Sequence, residues 1–240
     1  MTAPVQTLLL ADSREAADLA AFLGRLLRYD RAAAVRMQAG GARGGQGGSL
    51  AVFGRPPSFE VLAIRTARLA DRDDTDTAAV LDVTVAAGEL LESIEGSALA
   101  VPAAITGPPW AGVLPPRGGW REIPGLPGVP EMRGAVAAAV AEFRARDEAL
   151  PPERRIRTER DRIGREIWSR TLGGTALPLR AVHAAQSLGF LRPAAPGAPG
   201  GAALLAAGGW LRLRTPYGSI AVRTGGLGGL TVTPTAGHSA

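Results

Sequence analysis

The chain has 240 residues and a formal net charge of +5, and its 27 Lys-plus-Arg side chains are all arginine. It contains no lysine, asparagine or cysteine. These absences exclude a P-loop lysine, a Schiff-base amine, a thiolate nucleophile, a disulfide, an iron–sulfur cluster and cysteine-ligated zinc. The abundance of Ala, Arg, Gly and Pro is typical of a bacterium with a G+C-rich genome, such as an actinobacterium.

The charge is distributed unevenly along the chain. Residues 1–128 carry a net charge of −2, and residues 129–240 carry a net charge of +7. The isoelectric point near 10.9 overstates the basic character, because two tyrosines and no lysine leave almost nothing to titrate between neutral pH and arginine. This asymmetry predicts two functional halves. No apolar run approaches the roughly 18 residues of a membrane span and no signal peptide is evident, so we expect a cytoplasmic protein without a membrane partner.

Residues 1–95 predict an α+β unit. After a short apolar strand, Asp12 and Glu15 form a capping box in front of a helix with one apolar face. Alternating apolar and polar residues then predict a four-stranded antiparallel meander whose last strand is at 81–85, followed by a short helix at 88–94. The expected element order is β-α-β-β-β-β-α.

Residues 96–128, which we call the connector, are rich in Pro and Gly and contain Trp110 and Trp120. Two tryptophans seldom stand free in solvent, so we expect the connector to wrap an apolar surface. Because its prolines interrupt regular structure, it also marks the end of the N-terminal unit.

The C-terminal half is predicted to be mainly helical. Residues 129–192 show the apolar spacing of three helices, the third at 177–191. Residues 193–209 have the Pro-, Ala- and Gly-rich composition of a flexible linker. Residues 210–223 predict a β-hairpin around a Pro-Tyr-Gly turn, and residues 224–240 predict a disordered tail.

The second of these three helices is dense in arginine. Ile156, Ile163 and Ile167 fall on one line of the helix, which predicts its buried side. The opposite side is a candidate cationic surface for phosphates. In the alternative interpretation this side is only solvated, because most of its arginines have an acidic residue four positions away. The arginines in question are Arg154, Arg155, Arg162 and Arg165.

Three helices followed by a hairpin are similar to a winged helix-turn-helix. That resemblance implies that the third helix enters the major groove of DNA with Arg180, His183 and Gln186 near base edges, while the hairpin follows a phosphate backbone. In the alternative, the hairpin joins the N-terminal sheet, because residues 50–65 and 211–223 share a strand–Pro turn–strand pattern. The hairpin arginines are Arg212, Arg214 and Arg223.

The N-terminal unit has a resemblance of its own. Strands at 50–53, 59–69 and 81–85 that lead into the helix at 88–94 resemble half of a DNA-polymerase sliding-clamp domain. The resemblance covers element order alone, transfers no residue roles, and implies a scaffold or binding role.

No catalytic, cofactor or metal site is predicted. His183 alone cannot form a histidine metal site, and the chain has no Gly-x-Ser-x-Gly motif. The Asp-rich residues 71–76 lack the glycine and the glutamate of a calcium loop. The glycine-rich residues 40–48 lead into a strand and not into a helix, so both segments predict turns.

The sequence therefore predicts an α+β, non-catalytic protein whose C-terminal half associates with nucleic acid or acts in regulation, with DNA as the partner. The alternative is a protein-interaction adaptor that presents the N-terminal sheet and the Trp110/Trp120 segment to a protein partner. A third possibility is an enzyme that uses carboxylates alone.

Overall fold

The computed structural model describes residues 6–40, 48–71, 81–193 and 201–224. Within these ranges the chain is α+β, with one antiparallel sheet of eight strands and one of three strands. The two predicted turns at 40–48 and 71–76 lie largely outside the described residues, as does the predicted tail beyond Thr224.

The N-terminal half begins with a short strand and a long amphipathic helix. Asp12 caps that helix as the sequence predicts, since its carboxylate accepts a hydrogen bond from the backbone N–H of Glu15 at 2.8 Å. The other half of the predicted capping box does not form among the described residues, because the Glu15 carboxylate binds Arg65 and Arg68 instead. The elements are β1 (Thr7–Leu9), α1 (Ser13–Tyr29), β2 (Ala34–Gly40), β3 (Ser49–Gly54), β4 (Leu62–Arg68), β5 (Leu81–Ala86), α2 (Ala87–Glu92), β6 (Ile94–Glu95) and β7 (Ala98–Ala100).

The described residues from 121 onward form three α-helices and four strands. These are β8 (Arg121–Ile123), α3 (Val129–Glu148), α4 (Arg157–Ser169), α5 (Leu179–Ser187), β9 (Ala203–Ala207), β10 (Trp210–Thr215) and β11 (Gly218–Arg223). The prediction of a flexible linker at 193–209 is wrong for residues 203–207, which form β9. Its alanines favour no strand by themselves, but β9 pairs on both sides and buries Leu204 completely. Residues 194–200 lie outside the described part of the chain.

The strand order of the large sheet is β5-β2-β3-β4-β11-β10-β9-β8. The predicted meander therefore holds for β2, β3 and β4 only, because β5 lies beside β2. Strand β11 is the other neighbour of β4, and its residues 219–221 pair with residues 62–64 of β4. The C-terminal hairpin thus joins the N-terminal sheet, which was the alternative to a wing. The winged-helix-like arrangement is not confirmed.

The helices cover one face of the large sheet, which we call the inner face. Helix α1 packs on β4 and α5 packs on β11, so the two halves of the chain meet over the two central strands. Phe22 of α1 stacks on Phe190 with ring centroids 5.9 Å apart. Gly218 begins β11 at φ 151°, where an added Cβ would lie 2.6 Å from the Phe190 ring, so this close approach requires glycine.

The connector covers part of the opposite, outer face. Trp110 and Trp120 pack against a second, smaller apolar cluster that includes Phe53 and Trp210. The Trp120 Nε1–H donates a hydrogen bond to the carbonyl of Pro116 at 3.0 Å. The connector therefore wraps an apolar surface, as its tryptophans predict, and both rings are used within the molecule.

A buried arginine links the two halves on the inner face. Arg65 of β4 donates to Glu15 at 3.2 Å and to Asp18 at 3.3 Å, both on α1. It also donates to the carbonyl of Tyr217, in the turn between β10 and β11, at 3.1 Å. The Arg65 side chain is only 7% exposed, and a charge so far from water needs such partners.

Candidate functional site

The nine arginine and histidine side chains predicted to contact nucleic acid lie in three places. They are α4 with the turn before it (Arg154, Arg155 and Arg162), a cleft beside α5 (Arg165, Arg180 and His183) and the outer face of the sheet (Arg212, Arg214 and Arg223). The last two places adjoin, because Arg180 and Arg223 line a common cavity of about 450 Å³, but the structure does not combine all nine side chains into one surface.

Arg155 serves the end of the preceding helix. Its guanidinium donates hydrogen bonds to the carbonyl of Glu148 at 2.6 Å and to the carbonyl of Leu150 at 2.9 Å. Glu148 is the last residue of α3 and Leu150 lies two positions beyond it, so Arg155 caps the end of this helix. The backbone leaves the helical conformation there, and α4 begins only at Arg157. The prediction that Ile156 lies on the buried line is therefore wrong, since its side chain is 54% exposed.

The other arginines near the beginning of α4 form ion pairs. Arg154 and Arg162 both donate to Glu159, at 2.8 and 3.0 Å. Because both hydrogen bonds favour the carboxylate, they hold the pKa of Glu159 below its ordinary value. This is the solvated, ion-paired face of the alternative interpretation.

A second set of ion pairs joins α3 to α4. Arg146 binds both oxygens of Glu166 at 2.7 Å, and Arg170 binds the two oxygens of Glu142 at 2.6 and 2.8 Å. The hydrogen bonds from Arg146 lower the pKa of Glu166 to about 2. Much of the positive charge of α4 and its neighbours is therefore neutralised within the protein.

Three arginines follow one another on the outer face, and we call Arg212, Arg214 and Arg223 the arginine row. Arg212 and Arg214 are two positions apart on β10, so about 6.6 Å separates them along the strand. Arg223 of β11 is paired with Trp210, two positions before Arg212. The Arg223 and Arg212 guanidiniums lie 5.5 and 5.7 Å from the ring centroids of Trp210 and Trp120.

The arginine row keeps its positive charge. Within the part of the chain that the structure describes, no Asp or Glu side chain forms an ion pair with any of its three members. Burial, and after it the charge of Arg214, lowers the pKa of Arg212. The Arg212 Nε–H is buried without a hydrogen-bond partner among the described residues. It lines a groove of about 320 Å³ whose other wall includes Arg117 of the connector.

On the N-terminal half of the same face, by contrast, the arginine of β2 has a carboxylate partner. Arg36 of β2 donates to both oxygens of Asp82 on β5, at 2.7 and 2.9 Å, and Gln38 donates to the same carboxylate at 3.0 Å. The hydrogen bond from Arg36 holds the pKa of Asp82 below its ordinary value.

A cleft of about 760 Å³ lies between α4, α5 and the turn at 58–60, and we call it the aromatic cleft. His183 of α5 stacks on Trp168 of α4 with ring centroids 4.3 Å apart and 21° between the planes. Phe59 meets His183 edge-on at 5.1 Å. Burial lowers the pKa of His183, so the imidazole is neutral at pH 7.

The turn that forms one wall of the aromatic cleft is strained. Ser58 and Glu60 have positive φ values of 69° and 53°, a conformation that residues other than glycine seldom adopt. Such residues often occur where binding requires a particular backbone path. The Glu60 carboxylate lies 3.9 Å from the Arg180 guanidinium, whose Nε–H has no hydrogen-bond partner among the described residues.

Sequence reasoning found Arg165, Arg180 and His183 but not the aromatic residues around them. Trp168 and Phe59 are 109 positions apart in the chain, and only the tertiary fold brings both to His183. The Arg-Pro-Pro sequence at 55–57 indicates a turn, which is the only local signal of this wall.

Comparison with family models divides the chain within the connector. Residues 3–112 match the family described as Domain of unknown function (DUF8010). Residues 115–227 match the family described as Domain of unknown function (DUF8185). No curated protein and no solved structure matches the chain. Since β4 lies in the first matched region and β11 in the second, the two regions share one continuous sheet.

Two further features are absent from the described residues. None of their helices is both long and apolar enough to cross a membrane. In the same ranges, no three His, Asp or Glu side chains converge in the way that a metal ion requires.

Proposed function

We propose that this protein binds the phosphate backbone of nucleic acid through the arginine row, in a non-catalytic role. The observation that carries the proposal is the contrast in pairing. The described arginines of α4 mostly bind carboxylates, whereas Arg212, Arg214 and Arg223 have no carboxylate partner in the described chain. Nucleic acid would be met in the cytoplasm, the location that the sequence predicts.

The geometry of the arginine row suits a phosphate chain. Its members project from adjacent strands at regular same-face positions, and guanidinium groups bind phosphate oxygens in pairs. The Trp120 and Trp210 rings lie 5.7 and 5.5 Å from the Arg212 and Arg223 guanidiniums and attract them through cation–π contacts. We assign no base readout to this surface, because phosphate contacts carry no sequence information.

The test is fluorescence anisotropy with labelled single-stranded and duplex oligonucleotides of unrelated sequence. The triple variant Arg212→Gln, Arg214→Gln, Arg223→Gln is compared with the control Arg154→Gln, Arg157→Gln, Arg162→Gln, which makes the same change in net charge on α4. The row variant should bind at least about tenfold more weakly at low salt. Its slope of log affinity against log salt should shrink by about 2–3, one unit for each lost phosphate contact.

Either of two results overturns the proposal. One is the absence of binding to every oligonucleotide even at low salt. The other is an equal loss in the control variant, which would trace the binding to net charge alone. A difference between single strand and duplex would identify the form that fits the groove beside Arg212.

The adaptor alternative has less support. Trp110 and Trp120, which it would present to a partner, already pack on the outer face of the sheet. The carboxylate-only enzyme has less still, because Asp161 and Glu166 in the aromatic cleft are both paired with arginines.

A further inference from the structure

No member of the arginine row lines the aromatic cleft, which adjoins the cavity beside Arg223 at Arg180 and has features of a small-molecule site. Its volume of about 760 Å³ lies within the range of about 300–1,000 Å³ that ligand pockets occupy. Trp168, His183 and Phe59 give it an aromatic wall, and Phe143 of α3 adds a fourth ring at its edge. A planar aromatic ring is the group that such a wall accommodates best.

The floor of the aromatic cleft is kept open by a glycine in a helix. Gly164 lies within α4, where glycine costs about 1 kcal/mol of helix stability relative to alanine. Steric crowding does not demand it, since an added Cβ would lie 3.7 Å from both the Phe143 and Trp168 rings, an ordinary contact distance. The absent side chain leaves space between these two rings, inside the cleft.

Among the charged side chains that line the aromatic cleft, one arginine has no carboxylate partner in the described chain. Glu166 is bound by Arg146, Asp161 by Arg157, and Glu60 lies beside Arg180. Arg160 is bound by Asp147 at 2.8 Å. Arg165 projects from α4 at the rim and forms no ion pair with any residue that the structure describes.

From the aromatic wall, the open floor and the single unpaired cation, we infer that the aromatic cleft binds a small aromatic monocarboxylate. The ring packs against Trp168, His183 and Phe59 over Gly164, and the carboxylate accepts hydrogen bonds from the Arg165 guanidinium. The His183 imidazole, neutral at pH 7, adds no second positive charge, which favours a monoanion over a dianion such as phosphate.

Isothermal titration calorimetry with the full chain tests this inference, with indole-3-acetate as the probe and the neutral indole-3-acetamide as the matched ligand. The acetate should bind with a Kd below about 1 mM, and the amide at least about tenfold more weakly. Arg165→Gln should weaken acetate binding about tenfold and leave amide binding unchanged. The control is Arg162→Gln, on the same helix but not among the residues that line the cleft; its nearer carboxylate partner is Glu159 at 3.0 Å, and Glu166 lies 4.0 Å away.

Gly164→Ala gives a result that a damaged fold could not mimic. The added methyl group should raise the thermal midpoint, because alanine favours the helix, and should still weaken acetate binding severalfold. The arginine-row variant should bind acetate normally, so failure here is distinguishable from failure of the proposed function.

Three outcomes overturn the inference. They are no binding of the acetate up to millimolar concentration, equal binding of acetate and amide, and equal losses in Arg165→Gln and Arg162→Gln. The last two would mean that no specific guanidinium recognises the carboxylate.

Discussion

The arginines of α4 and those of the arginine row carry the same charge in different surroundings. Arg154 and Arg162 share Glu159, and each lies within five positions of it in the chain. The segment 193–240 contains no acidic residue, so Arg212, Arg214 and Arg223 could be neutralised only by a distant part of the protein. In the described structure no carboxylate fills that role.

Whether its arginines have carboxylate partners, and not how many arginines it contains, therefore determines whether a surface remains positive. On a helix, an acidic residue one turn away neutralises its neighbour with little help from the fold. For an arginine on a strand, a carboxylate partner has to come from an adjacent strand or from another layer of the fold.

Arg65→Met should lower the free energy of unfolding by about 3–5 kcal/mol, because Glu15 and Asp18 would lose their shared buried partner. Urea denaturation measures the change. Arg68→Met is the matched control, since Arg68 also binds Glu15 but is 70% exposed, and its loss should cost less than about 1 kcal/mol. Equal losses would mean that burial does not distinguish the two arginines.

Arg155→Gln should cost about 1 kcal/mol, because the carbonyls of Glu148 and Leu150 would lose a charged donor at the end of α3. Hydrogen exchange should show faster opening of the last turn of α3, with the sheet unaffected. A variant as stable as the original protein, with unchanged exchange, would show that water replaces this cap without cost.

Arg212→Met should leave stability unchanged or raise it by up to about 1 kcal/mol. It removes a half-buried guanidinium whose Nε–H has no partner in the described chain and relieves repulsion with Arg214. Thermal unfolding and oligonucleotide binding are measured together. Destabilisation above about 1 kcal/mol would place Arg212 among the structural arginines and not in a binding surface.

Acid should loosen the α3–α4 ion pairs. Because the pKa of Glu166 is about 2 in the folded protein, below its ordinary value of 4.5, its stabilising contribution is complete above about pH 4.5 and is lost as the pH falls toward 2. The thermal midpoint of the original protein should therefore fall more steeply over this interval than that of Glu166→Gln. Parallel curves would contradict the assignment.

Local chemistry explains what the sequence predicts well. The Asp12 cap and the hairpin around Pro216 depend on neighbours a few positions away, and both form as expected. The prediction for Ile156 fails because a helical wheel assumes an uninterrupted helix. In the structure Arg155 caps the end of α3, and α4 begins only after Ile156. The strand at 203–207 was missed because its stability comes from pairing and burial and not from its alanines.

The candidate sites depend more heavily on tertiary structure. The strand–Pro turn–strand pattern shared by residues 50–65 and 211–223 allowed the hairpin either to form a wing or to join the N-terminal sheet, and nothing local decides between these arrangements. The positive φ values at Ser58 and Glu60 have no signature in residue type. The sequence could therefore nominate Arg165 and Arg212, but it could not show that one lines an aromatic cleft and the other a groove on the sheet.

The pairing of β4 with β11 has a consequence for how the chain can be divided. A cut between residues 112 and 115 respects both family matches, yet each fragment would expose a strand edge that is paired in the whole protein. Open apolar edges attract other strands, so each fragment alone should aggregate. Coexpressed fragments should instead find each other along this seam, with Arg65 reaching across it to Tyr217. The two matched regions therefore resemble the complementing fragments of a split protein, joined here in one continuous chain.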